Sequence, residues 1–120
     1  NSSDTISIER ADFVAGATTA TVGAVTTVKT TGASSLNDTT IADFAELKVA
    51  IDASTLLAAS ADSAGGIKAY IIDLTGNTGA LGTGTYLVVN DSNAGLQATD
   101  LMVEMTGLVG TLDATDFTVA

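Results

Sequence analysis

Polar and apolar residues alternate along Asp4-Thr5-Ile6-Ser7-Ile8-Glu9, which predicts a strand with Ile6 and Ile8 on one face. The stretch from Ala17 to Thr31 is rich in Thr, Val and Ala, the composition of β-structure. Gly23 interrupts it, so it reads as one or two short strands. Gly32-Ala-Ser-Ser-Leu-Asn-Asp38 is a turn-rich loop. The period then changes. Ile41, Phe44, Ala45, Leu47 and Ile51 lie near one helical stripe, with Thr40 as the expected N-cap and Asp43 as its capping-box partner. Asp52 is expected to end that helix, and Ala53-Ser54 to cap a second short one through Leu56, Leu57 and Ala61. Gly65-Gly66 stops helical structure.

The C-terminal half reads as strands Ile67 to Leu74, Thr85 to Val89 and Leu101 to Thr106. Tyr70, Ile72 and Leu74 share one face of the first of these. Ile71 and Asp73, on the other face, differ in polarity, so that face is expected to be half-buried. Gly107 to Ala114 is a loop, and Asp116-Phe117-Thr118-Val119 is a short last strand. The predicted class is α+β and mostly β. Antiparallel strands form a sandwich or roll, with one or two short Ala-rich helices near residues 40–63. Residues 1–120 make one domain with a β core over 67–119, in which the strand over 4–9 is a candidate for exchange with a neighbour.

Composition narrows the chemistry. The 120 residues are 46% hydrophobic and include no Cys, His, Pro or Trp. A chain of this length buries roughly two-thirds of its unfolded surface, enough for a core. Without Cys and His there is no disulfide, thiol nucleophile, Cys/His zinc site, Ser-His-Asp triad or His base. Fourteen acids against four bases give a net charge of −10. The bases Arg10, Lys29, Lys48 and Lys68 are scattered, so nucleic acid is an unfavourable partner, and so is an anionic membrane surface. No apolar run approaches the roughly 18 residues of a membrane span, so membrane insertion is not expected. The mean hydropathy of +0.41 separates the chain from disordered acidic sequences. Asn1-Ser2-Ser3-Asp4 has neither an initiator Met nor a signal-peptide pattern, so a processed product or a piece of a longer protein is expected.

Candidate chemistry concentrates between Tyr86 and Gly107. Asn90, Asp91, Asn93 and Asp100 put oxygens near a bend at Gly95, and clusters of this kind suit calcium. Asp91, Asn93 and Asp100 are the candidate calcium ligands, and calcium is the only cofactor suggested. The segment is not an EF-hand, because Met102 stands where the twelfth-position Glu belongs. The alternative is that Asn, Asp and Gly simply build the turn.

The same segment, GTYLVVNDSNAGLQATDLMVEMTG, resembles the segment that closes haemolysin-type (RTX) proteins, bacterial proteins exported by type I secretion. The likeness is best over residues 69–120, looser over Thr39 to Gly66, and does not extend specifically to the first thirty or so residues. It implies a C-terminal module of a secreted surface protein. Asp116-Phe117-Thr118-Val119-Ala120 is similar to the uncleaved export signal of such substrates, which implies a type I transporter as partner. The alternative is a final edge strand with Phe117 and Val119 in the core. The family's calcium-stacking nonapeptides are missing: only Gly65-Gly66-Ile67 is present, without the following Gly-x-Asp.

Three further patterns are weaker. Thr75-Gly-Asn-Thr-Gly-Ala-Leu-Gly-Thr-Gly84 is Gly-rich but lacks the Gly-Lys-Ser/Thr of a phosphate loop. Paired carboxylates suit glycosidase chemistry, but aromatic platforms for a sugar are scarce. Asn1, Asn37 and Asn90 begin glycosylation sequons, of which Asn1 and Asn37 are the accessible candidates. The expectation is a non-enzymatic, extracellular or cell-surface structural module. It self-assembles into a layer or filament by strand pairing, with Ile6 and Ile8 as assembly residues. The alternative is a C-terminal cap and secretion signal of a larger calcium-binding protein or adhesin.

Overall fold

The structure, a computed structural model, describes residues 5–14, 21–61 and 66–120. Its centre is a four-stranded sheet of β2 (Val22–Lys29), β3 (Ile67–Asp73), β4 (Thr85–Val89) and β5 (Leu101–Glu104), in that spatial order. A second sheet joins β1 (Ile6–Ile8) to β6 (Phe117–Val119). The helix α2 (Phe44–Ser54) covers one face of the large sheet. A single turn, α1 (Arg10–Phe13), and a 3-10 turn over Ala114–Asp116 are the other elements among the described residues. The class is α+β and mostly β.

Two apolar clusters explain the continuous hydrophobic runs of β3 and β4. The pairs Tyr70–Val88 and Ile72–Tyr86 face α2, where they meet Leu47, Ile51, Ile41 and Leu57. The alternate pairs Ala69–Val89 and Ile71–Leu87 face the β1–β6 sheet, where they meet Ile8, Phe13 and Phe117. Both central strands are therefore buried on two sides, which favours unbroken Val, Ile and Leu over alternation. Tyr70, Ile72 and Leu74 do share a face, and Ile71 is buried while Asp73 is half-buried.

The strand pairing differs from an all-antiparallel arrangement. β3–β4 and β4–β5 are antiparallel, but β2–β3 and β1–β6 are parallel. A parallel neighbour needs a long crossover, and the segment between β2 and β3 that carries α2 supplies it. The described part of the Thr/Val stretch, from Thr21 on, forms one strand, with a register shift between Val22 and Ala24 at Gly23; residues 17–20 of that stretch lie outside the described residues.

The helical region also departs from expectation. Thr40 is not the N-cap, because its N–H and hydroxyl both donate to Asp38 Oδ1 (2.8 and 3.0 Å) in a turn of their own. The cap is Asp43, which accepts from the Glu46 N–H at 2.8 Å, while Glu46 reaches back to the Ala42 N–H at 2.7 Å. The helix runs past Asp52 to Ser54 and ends on Thr55 in the left-handed region (φ 56°). The second helix does not form. Residues 56–61 have no regular structure, because tertiary partners take their polar groups: Ala58 N–H donates to Tyr70 Oη at 2.8 Å and Ser60 N–H to Asp91 O at 2.7 Å. β5 stops at Glu104, two residues short of the predicted end.

Candidate functional site

β4 delivers the chain into the candidate loop through Asn90, which is fully buried. The Asn90 Nδ2 donates to Ala58 O at 2.8 Å and to Asn93 O at 3.0 Å, tying the loop to the segment after α2. Its Oδ1 is buried without a partner among the described residues. Ser60 completes the join. Its hydroxyl accepts from the Lys68 N–H at 2.9 Å and donates to Asn90 O, so a side-chain oxygen sits within the end of the β3–β4 ladder.

The two acids face inwards. Asp91 accepts from the Asn93 N–H at 2.8 Å and the Thr99 hydroxyl at 2.6 Å, with the Asn93 amide at 3.5 Å. Asp100 accepts from the Asp91 N–H at 2.9 Å and the Gln97 N–H at 2.6 Å. The structure therefore brings Asp91, Asn93 and Asp100 together. The Thr99 hydroxyl and the Asn93 donors hold the Asp91 carboxyl below its usual value, against the cost of burial. Burial, reinforced by the Asp91 charge, pushes Asp100 up, although the Gln97 and Asp91 N–H groups oppose the shift. On the far side, Gly95 turns at φ +83° with Asp52 Oδ1 against it, and the Leu96 N–H donates to the same oxygen at 3.2 Å.

Chemically this is a stapled turn. Calcium takes six to eight oxygens, whereas the Asp91 and Asp100 oxygens already receive donors from the loop itself. Among the described residues, no three Asp, Glu, His or Cys side chains are grouped to hold a metal ion. The wide depression between α2 and residues 35–40, about 770 Å³, is similar in kind. Asp38, Asp43 and Glu46 line it, and all three accept backbone N–H donors at the start of α2.

The remaining candidates sit elsewhere. Ile6 pairs with Phe117 and Ile8 with Val119 in the β1–β6 ladder, and the Ala120 N–H donates to Ile8 O at 2.9 Å. Ile8 and Phe117 are buried, whereas Thr118 is exposed. Asp116 belongs to a capping box with Asp113 that enters β6. Asn37 is exposed with φ 54°, and Asn1 lies outside the described residues. Asp73 accepts from the Thr75 hydroxyl and N–H, which lowers its pKa.

Two residues with leading parts went unread in the sequence. Asn77, from the Gly-rich linker, clamps Ile41, and Ser60 bridges β3 and β4. The only signal for Asn77 was its place between glycines, and Ser60 carried none. No protein family, curated protein or solved structure matches the chain. Among the described residues, no helix is long and apolar enough to cross a membrane.

Proposed function

We propose that this chain is a non-enzymatic structural module of an extracellular or cell-surface protein, built to associate with copies of itself through strands and apolar faces. The observation that carries this reading is the meeting of the two terminal strands. β1 and β6 form a separate parallel pair whose inner residues complete the second apolar cluster. A core closed by a terminal strand has an element that a neighbour can supply. The acids of the 90–100 loop serve its own backbone and hydroxyls, which leaves strand surfaces as the working parts. The charge of −10 keeps such units soluble before they assemble.

The test is removal of residues 1–10, followed by light scattering and electron microscopy. Loss of the particles that the full chain forms is expected. Unchanged particles would overturn the reading.

A further inference from the structure

Of the strand surfaces available for association, the edges of the large sheet are the less suited. β2 carries a register shift at Val22/Ala24 and ends at Lys29, and the loop after it already covers that end. The Leu36 N–H donates to Lys29 O at 2.8 Å, the Asp38 N–H donates to Thr30 O at 3.1 Å, and Ser35 bridges Lys29 in parallel. β5 is four residues long and ends on Glu104. Bulges, terminal charges, short length and a covering loop are the devices that discourage edge pairing.

β1 is different in kind, because what it offers is exchange of the whole strand rather than pairing at an open edge. It is three residues long, and among the described residues its ladder partner is β6 alone. It also inserts Ile8, 3% exposed, beside Phe117. A two-stranded unit this short is marginal without the core beneath it. Its withdrawal would leave an apolar seat along Phe117 and Val119 that requires the same three residues in return. Residues 9–21 tether it to β2. Extended, this tether spans about 45 Å at ~3.3–3.6 Å per residue, compared with molecular dimensions of 42 × 32 × 23 Å. α1, within the tether, is a single turn whose Phe13 is buried in the same cluster as Ile8, so this turn must travel with β1 and be seated again beside the acceptor strand.

We infer that the seat on β6 is an acceptor for β1 of a second copy of this chain, with Ile6–Ile8 of one molecule parallel to Phe117–Val119 of the next. Each copy gives one strand and receives one. Exchanged reciprocally between two copies, the strands close a dimer; passed from each copy to the next, the contact is head-to-tail and grows into an open filament unless the rotation closes a ring. This inference rests on the self-association proposed above and names its route.

Ser7 and Thr118 allow a direct test. They are ladder partners, both are exposed, and the chain has no cysteine of its own. In a Ser7→Cys/Thr118→Cys variant oxidised as a dilute monomer, the disulfide locks β1 in its own molecule. Assembly should fall at least tenfold by light scattering and return on reduction. Separately, Ser7→Cys and Thr118→Cys single variants, one of them ¹⁵N-labelled, are unfolded, mixed, refolded into polymer and oxidised. Peptide mass spectrometry should then find the 7–118 link between copies. Polymer that forms equally well from the locked variant, or that lacks the inter-copy link, overturns the exchange but leaves self-association intact. A chain that stays monomeric at every concentration, reduced or oxidised, overturns both.

Discussion

Asn77 and Ile41 exchange two hydrogen bonds as if they were opposed residues of a β-ladder. The Ile41 N–H donates to Asn77 Oδ1 at 2.9 Å, and Asn77 Nδ2 donates to Ile41 O at 3.0 Å. The same Nδ2 reaches Gly82 O at 2.8 Å, and the Gly79 N–H reaches Oδ1 at 3.2 Å. One buried side chain thus satisfies the backbone of Ile41, which is fully buried at the entry to the helical region, and closes the Gly-rich loop on it. Asn77→Ala leaves several buried groups unpaired, so a loss of about 3 kcal/mol is expected in urea unfolding. Asn77→Asp keeps the acceptor and loses the donor, and should also destabilise.

Gly79 and Gly82, in the same loop, should respond differently to alanine. A Cβ at Gly79 would lie 2.1 Å from Ile41 O and 2.4 Å from its carbonyl carbon, both backbone atoms with no rotamer to yield. At Gly82 nothing lies within 4 Å, and the only cost is a φ of +86°. Gly82→Ala should cost about 1 kcal/mol. Gly79→Ala should displace the loop and cost several times more, measured by chemical denaturation of the two variants side by side.

Asp91 and Asp100 should respond to pH in opposite senses. Asp91, held below its usual value by Thr99 first, binds fewer protons folded than unfolded. Its stabilising contribution is complete above the ordinary carboxylate value and is lost as pH falls through the folded pKa. Asp100, raised first by burial, binds more protons when folded. Its contribution is complete below the ordinary value and declines as pH rises through the raised one. Thr99→Val should raise the Asp91 pKa in a ¹³C carboxyl titration. It should reduce stability at neutral pH more than in strong acid.

Calcium provides a separate check on the same loop. Since the Asp91 and Asp100 oxygens already accept from Asn93, Thr99 and Gln97, millimolar calcium should leave the thermal midpoint unchanged. A calcium-dependent rise of several degrees that disappears in Asp91→Asn and Asp100→Asn would show that the cation displaces these donors.

Phe117 and Thr118 separate the two roles read into the tail. Phe117 is buried and Thr118 exposed, so Phe117→Ala should cost about 3 kcal/mol and Thr118→Ala under about 0.5 kcal/mol. Export assays on position 118 therefore probe a secretion signal without disturbing the core, whereas truncation at Asp116 removes β6 as well.

The chain's own pattern was sufficient for β3, β4, β5 and β6, and for a helix near residue 44, because each is marked by local periodicity or by turn residues at its ends. It also marked Asp91, Asn93 and Asp100 as a group, since Asx residues around Gly95 bend a chain wherever they occur. It did not mark how those oxygens are occupied, because Thr99 and Gln97 become donors only once the loop closes. Nor did it reveal that β2 lies parallel to β3, or that β1 joins β6 at the opposite end of the chain. Those pairings depend on which apolar faces remain uncovered after the central strands meet, and residues 111 positions apart (Ile6 and Phe117) carry no local mark of each other. The N-cap moved from Thr40 to Asp43, and the segment after Ser54 lost its helix, for the same reason. In both places a backbone or side-chain donor found a partner distant in sequence or in a competing turn, and local helix signals are too weak to outweigh such a partner.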